Sequence, residues 1–241
     1  MLPEAHGLLG ELHAYDLDWG QAEASYRRAI NLDPNLSQTR SGFAVSVLLP
    51  LGKTDEALGQ ARKAQELDPL SKEASEALLL VLYAAGRFDE TPRACERILA
   101  SNPDDAYVHN IYGRALTQNG QLAEAIAYFH KMPDAGGTRR YLGHAYAKIG
   151  RRADAERLAA QADAVQFRQQ ALVYSGLGDA DRTMDALSKM ADEKDPAANL
   201  YSVLPELYFL RNHPRYKEFA ADKTSPNSHE PALCMLDSHA R

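Results

Sequence analysis

The sequence has 241 residues, 45% of them hydrophobic and 25% charged, with 15 glycines and 12 prolines, the balance of a folded chain and not of a disordered one. A formal net charge of −6 and a pI near 5.8 give a field that repels nucleic acid and anionic lipid, which argues against direct binding to either. No apolar run approaches the roughly 18 residues that cross a bilayer, Met1-Leu2-Pro3-Glu4 lacks both parts of a secretory signal, and two cysteines cannot build a disulfide framework.

In chain order, residues 18–34 set the pattern that the rest repeats. Ala22, Tyr26 and Ala29 fall at i, i+4 and i+7 and share one face of a helix. Asp18 caps its start, and Asp33-Pro34 ends it because proline disfavours helical geometry in the residue before it. Two alanines on a buried face imply a close neighbour, the segment Leu8-Leu9-Gly10-Glu11-Leu12-His13, in which Gly10 removes a side chain where two backbones would collide. The unit is a helical hairpin of about 34 residues with one apolar face left over, so it needs copies of itself.

Hairpin one spans about residues 3–36 and hairpin two about 38–70, with Gly52, Ala57, Ala61, Ala64 and Pro69 in the same register and Thr54-Asp55-Glu56 opening its second helix. Hairpin three (72–104) carries Gly86, Phe88, Cys95 and Ile98; Pro92 falls in a first helical turn, where it is tolerated. Cys95 and Trp19 both read as core residues. Hairpin four (105–137) shows Gly113, Gly120, Ala125 and Phe129, hairpin five (138–164) Gly143, Tyr146, Gly150 and Ala155, and hairpin six (165–195) Tyr174, Gly178, Thr183 and Leu187.

The turn glycines give the period: 34 residues from Gly52 to Gly86 and from Gly86 to Gly120, then 30 to Gly150 and 28 to Gly178. Losing four to six residues removes about one helical turn, so the later second helices are expected to be shorter. Pro133-Asp134-Ala135-Gly136-Gly137 is the expected hinge. From 196 to 221 the pattern predicts two or three short helices that cap the array, and 222–241 has the composition of a disordered tail.

The skeleton Leu9, Gly10, Ala22, Tyr26, Ala29 and Pro34, with the 34-residue spacing, resembles the tetratricopeptide repeat over roughly residues 3–190. Hairpin one departs from it at Leu17, where the turn glycine is usual, and at His13, where tyrosine is usual. The resemblance implies an all-α, right-handed superhelical solenoid of about six antiparallel helix pairs with a short-helix C-terminal cap. It also implies a non-catalytic protein-protein interaction scaffold that holds a partner peptide or helix in its concave groove.

Four stretches, Asp18 to Glu23, Arg27 to Pro34, Glu66-Leu67-Asp68-Pro69-Leu70-Ser71 and Leu210 to Tyr216, are similar more narrowly to the C-terminal repeat regions of bacterial winged-helix regulators, adenylate cyclases and kinases. That likeness implies an alternative, a regulatory or sensory domain whose effector domain is absent from this chain.

Catalytic and metal patterns are missing from the sequence: no His-Glu-x-x-His, Gly-x-Ser-x-Gly, phosphate loop or paired cysteines. Asp16-x-Asp18 begins like a calcium loop but lacks the glycine and terminal glutamate that follow. No enzyme activity and no cofactor are expected, and a cytoplasmic address follows by default; Asn35-Leu36-Ser37 fits a glycosylation sequon without further support.

What remains is the face of the first helices, whose outward positions recur at i, i+4 and i+8. In the second half these are Asn110, Arg114, Gln118, Arg140, His144, Lys148 and Arg168; in the first half they include Glu4, Glu11, Ser46, Glu73, Glu76, Leu80 and Tyr83. The basic half is the candidate peptide-binding groove for an acidic segment or a C-terminal carboxylate, held through charge-assisted bonds. A solvated face whose charges segregate by chance is the plain alternative. Some tetratricopeptide proteins hold a partner's C-terminal carboxylate in such a groove; Asn110 and Arg114 match that clamp loosely and its other positions are unmatched.

Overall fold

The computed structural model describes residues 2–132, 137–161, 166–193, 195, 197–201 and 203–222. Of the expected hinge only Gly137 lies within these residues, and of the expected disordered tail only Asp222. Every regular element among them is helical, and none is long and apolar enough to cross a membrane.

Consecutive helices pack as hairpins. They are α1 (Pro3–Tyr15) with α2 (Trp19–Leu32), α3 (Ser37–Phe43, continued by a π turn, Ala44–Leu48) with α4 (Thr54–Leu67), and α5 (Lys72–Ala84) with α6 (Thr91–Leu99). They continue as α7 (Ala106–Gln118) with α8 (Leu122–Lys131), α9 (Thr138–Lys148) with α10 (Arg152–Ala159), and α11 (Gln166–Gly176) with α12 (Ala180–Asp192). First helices also pack on first helices of the next hairpin, α5 on α7, α7 on α9 and α9 on α11, which makes one continuous stack.

The local reasons are those the sequence suggests. Asp18, Ser71, Asp105 and Asp179 accept from backbone N–H groups of the first turns of α2, α5, α7 and α12, satisfying donors that a helix start leaves unpaired. Five first helices end at a glycine of positive φ, Gly52, Gly86, Gly120, Gly150 and Gly178. Leu17 holds the same place after α1 with φ 59° and its side chain buried. Left-handed geometry costs a non-glycine residue about 1–2 kcal/mol, which burial of a leucine offsets.

Ala22, Ala29, Ala57, Ala61, Ala125 and Ala155 are fully buried, and Trp19 and Cys95 are in the core. Burial pushes the Cys95 thiol up to about 12, which leaves it unreactive at neutral pH. Gly10 corrects the expectation of two touching backbones. A Cβ there would stand 2.6 Å from a ring carbon of Tyr26, so the close approach is of α1 backbone to an aromatic ring. Gly113 meets Phe129 in the same way, at 2.4 Å.

Helix lengths correct a second expectation. The second helices α8 and α10, with 10 and 8 residues, are short as the period predicts, but α12 returns to 13 and α6, inside a full 34-residue period, has only 9. In α6 the residues after Gly86 form turns before the helix starts at Thr91, so a loop takes up the spacing that a longer helix fills elsewhere.

The last hairpin is followed by α13 (Ala198–Tyr201), a 3-10 helix (Pro205–Leu210) and α14 (Pro214–Asp222). Tyr201, Leu204, Leu207, Leu210 and Tyr216 close over Leu172, Met184, Leu187 and Met190, as a cap does. The 3-10 helix goes further than the sequence suggests: it lies on α11 and reaches back across the first helices as far as α5.

Candidate functional site

The centre of the first-helix face is a buried acid in a cationic seat. Arg114 on α7, 6% exposed, lies with its guanidinium carbon 4.2 Å from the ring centre of Tyr83 on α5 and 4.9 Å from that of Tyr141 on α9. Rings on both sides fix a planar guanidinium and shield it from water. Glu206 of the 3-10 helix enters this seat. Its Oε1 accepts from Arg114 Nε at 2.9 Å and from the Tyr83 hydroxyl at 2.7 Å.

Electrostatics follow from that geometry. Burial by itself raises a carboxyl pKa, but the Arg114 charge and the two hydrogen bonds outweigh it and hold Glu206 below the usual carboxylate range. Arg114 is held above its ordinary value by Glu206 against its own desolvation. The bond is single: Arg114 Nη2 and Glu206 Oε2 are both buried without a hydrogen-bond partner.

The other expected groove residues divide into three kinds. Asn110 and His144 are buried links between helices. Asn110 Oδ1 accepts from the Thr138 hydroxyl at 3.2 Å, and His144 Nδ1 donates to the Leu172 carbonyl at 2.8 Å. Burial lowers the His144 pKa and keeps the ring neutral. Arg168 binds a second acid of the C-terminal part, its Nε donating to Asp195 Oδ2 at 2.6 Å and its Nη2 to Oδ1. Gln118 and Arg140 are half-buried, Arg140 lying 5.0 Å from the Tyr141 ring centre, and Lys148 is exposed.

The structure thus brings Arg114 together with Tyr83 and Tyr141, and sets Arg168 apart on Asp195. Glu206, Asp195 and Tyr208, whose hydroxyl donates to the Ala84 carbonyl at 2.6 Å, are absent from the sequence reading of the site. One signal could have found Glu206: between Asp195 and Arg211 it is the single charged residue in an apolar run, and a lone charge there must find a buried partner. In the acidic half, Glu4, Glu11 and Glu73 are exposed and Glu76 and Ser46 half-buried.

Among the described residues no group of three or more His, Cys, Asp or Glu is placed to hold a metal ion.

The tetratricopeptide repeat family model matches residues 44–91 and 92–139. Among solved structures, the chain is similar to PilW, a type IV pilus biogenesis factor, at 19% identity, with 83% of this chain and 97% of that chain covered and a TM-score of 0.59. It is similar to PilF of Pseudomonas aeruginosa at 17% identity, covering 91% and 97% with a TM-score of 0.55. A tetratricopeptide repeat protein from Parabacteroides merdae matches at 19%, covering 91% of each chain with a TM-score of 0.53. No curated protein sequence matches the chain. At these identities the likeness concerns the fold alone.

Proposed function

We propose that this chain, whose residues 44–91 and 92–139 match the tetratricopeptide repeat model, is an interaction scaffold whose first-helix face holds a partner segment carrying a carboxylate. The carboxylate docks in the seat formed by Tyr83, Arg114 and Tyr141.

The observation that carries this reading is Glu206. A segment 92 residues away in sequence from Arg114 places an acid on a buried, ring-flanked guanidinium and a tyrosine hydroxyl, which is how an acidic, leucine-flanked peptide would be recognised. The chain's own segment fills the seat imperfectly, since one guanidinium nitrogen and one carboxylate oxygen are left without partners. A side-chain or C-terminal carboxylate that meets Arg114 with both oxygens recovers those bonds. Its binding displaces the 3-10 helix, and the first helices are already ordered to receive it, which keeps the entropic cost of docking low.

The test uses a fluorescein-labelled peptide of residues 203–211 and the same peptide with glutamine in place of the glutamate, titrated by anisotropy into the full chain. The glutamate peptide should bind Glu206→Gln more tightly than wild type, because the resident segment holds less firmly there. The glutamine peptide should bind both chains weakly. Equal binding of the two peptides would sink the carboxylate reading, and so would a failure of the glutamate peptide to bind Glu206→Gln.

A further inference from the structure

The 3-10 helix Pro205–Leu210 sorts its side chains into three rows, because at three residues per turn positions i and i+3 lie one above the other. Leu207 and Leu210, continued by Leu204 just before the first turn, make one row, and all three are 2% exposed or less. They enter the apolar core of the last hairpin beside Leu172, Met184, Leu187 and Met190.

Glu206 and Phe209 make the second row, and their surroundings differ. Glu206 is buried on Arg114 and Tyr83, whereas Phe209 is 45% exposed. Pro205 and Tyr208 make the third. Pro205 starts the helix with Leu204 extended before it, as the proline ring requires, and the Tyr208 hydroxyl donates to the Ala84 carbonyl.

The acid cannot leave the seat by itself. Consecutive Cα atoms are about 3.8 Å apart, Leu207 follows Glu206 directly, and only Pro205 separates it from Leu204. A ligand that takes the place of Glu206 therefore lifts these leucines out of the core of α11 and α12. Each leucine returned to water weakens the complex by about tenfold or more. A bare carboxylate gains the bonds to Arg114 and Tyr83 but leaves the leucine sites unfilled.

Building on the carboxylate seat proposed above, we infer that the partner segment copies the resident one in its pattern as well as its charge. It is a short 3-10-forming stretch with an apolar residue at each of the places of Leu204, Leu207 and Leu210, a glutamate at that of Glu206 and a tyrosine at that of Tyr208. Such a segment exchanges for residues 204–210 and refills the core that it opens. The place of Phe209 faces solvent and is not read, so specificity lies in the spacing of the leucines about the acid and not in overall hydrophobicity.

Competition against the fluorescein-labelled peptide of residues 203–211, bound to the full-length Glu206→Gln chain, tests this with unlabelled variants of the same peptide, none of which has a fold to lose. Leu207→Ala and Leu210→Ala should each weaken binding by about tenfold or more, and Tyr208→Phe should weaken it several-fold by removing the bond to the Ala84 carbonyl. Phe209→Ala should compete within about twofold of the parent, although it deletes a larger apolar side chain than either leucine change does. A loss with Phe209→Ala as large as with Leu207→Ala would reveal unspecific apolar contact and overturn the inference. Leucine variants that bind like the parent would overturn it too, while leaving the carboxylate seat standing as a reader of the acid alone. A parent peptide that fails to bind Glu206→Gln removes the seat and this inference together.

Discussion

Arg114 and Glu206 each leave water to meet the other, and a buried pair of this kind gains little over an apolar pair of similar volume, whereas breaking it strands a charge. Arg114→Leu or Glu206→Leu alone should lose about 3–5 kcal/mol in urea denaturation, and the double variant much less. If the two losses simply add, the residues are not coupled.

Acid should weaken the same region in two stages, and both stages have the same sign. The His144 pKa is depressed mainly by burial, with Lys148 and Arg114 adding to it against the pull of Glu206 and the Leu172 carbonyl. A depressed histidine contributes stability that is present above its unfolded value, about 6.5, and is lost as pH falls toward the folded value. Glu206, also depressed, adds a loss that begins below the ordinary glutamate value of about 4.3. Thermal melting between about pH 5 and 7 should therefore fall with acid in wild type and stay flatter in His144→Asn, which keeps a donor for Leu172 but cannot titrate. Parallel curves for the two proteins would remove His144 from the account.

At the scale of the helix, glycine has two separate uses, and substitution distinguishes them. Gly10→Ala puts a methyl into the Tyr26 ring and Gly113→Ala one into Phe129, so each should lose about 1–3 kcal/mol by overpacking. Gly52 has nothing within 4 Å of an added Cβ, but its φ is +70°, so Gly52→Ala should lose about 1–2 kcal/mol through backbone strain alone. Chemical denaturation measures both, and a Gly10→Ala protein with an unaltered midpoint would mean that α1 and α2 are not packed as described.

The helices were legible for a physical reason: their determinants are local. The cap Asp18, the buried alanines and the turn glycines each act within one hairpin, and each was placed from sequence alone. Leu17 broke the glycine rule, yet the turn kept its geometry because the side chain is buried. The site was only half legible. Arg114 and Arg168 could be assigned to the first-helix face by periodicity, but their depth depends on Glu206 and Asp195, which come from a part of the chain with no repeat to give its register. The π turn at Ala44–Leu48 likewise had no sequence signature that periodicity could detect.

For the whole molecule, that C-terminal segment changes how the array should unfold. A solenoid is coupled only between neighbours, so its ends fray independently and its stability is nearly a sum over repeats. Here Glu206 bonds Tyr83 and Arg114, Tyr208 bonds the Ala84 carbonyl, and Leu207 and Leu210 are buried in the core of the last hairpin. One short helix therefore ties α5 and α7 to α11 and α12 across two hairpins. Opening the last hairpin releases the clip and strips α5 and α7 of their covering, so the two regions should open together. Hydrogen exchange read by mass spectrometry should give α7 and α11 similar opening free energies in wild type. In the double variant Glu206→Gln, Tyr208→Phe, which weakens the polar ties and keeps the apolar contacts, the two should separate, with the last hairpin opening more readily than α7. Independent opening already present in wild type would show that the segment is a passive cap; matched opening in both proteins would locate the coupling in the apolar contacts of Leu207 and Leu210 instead of the acid and the two tyrosines.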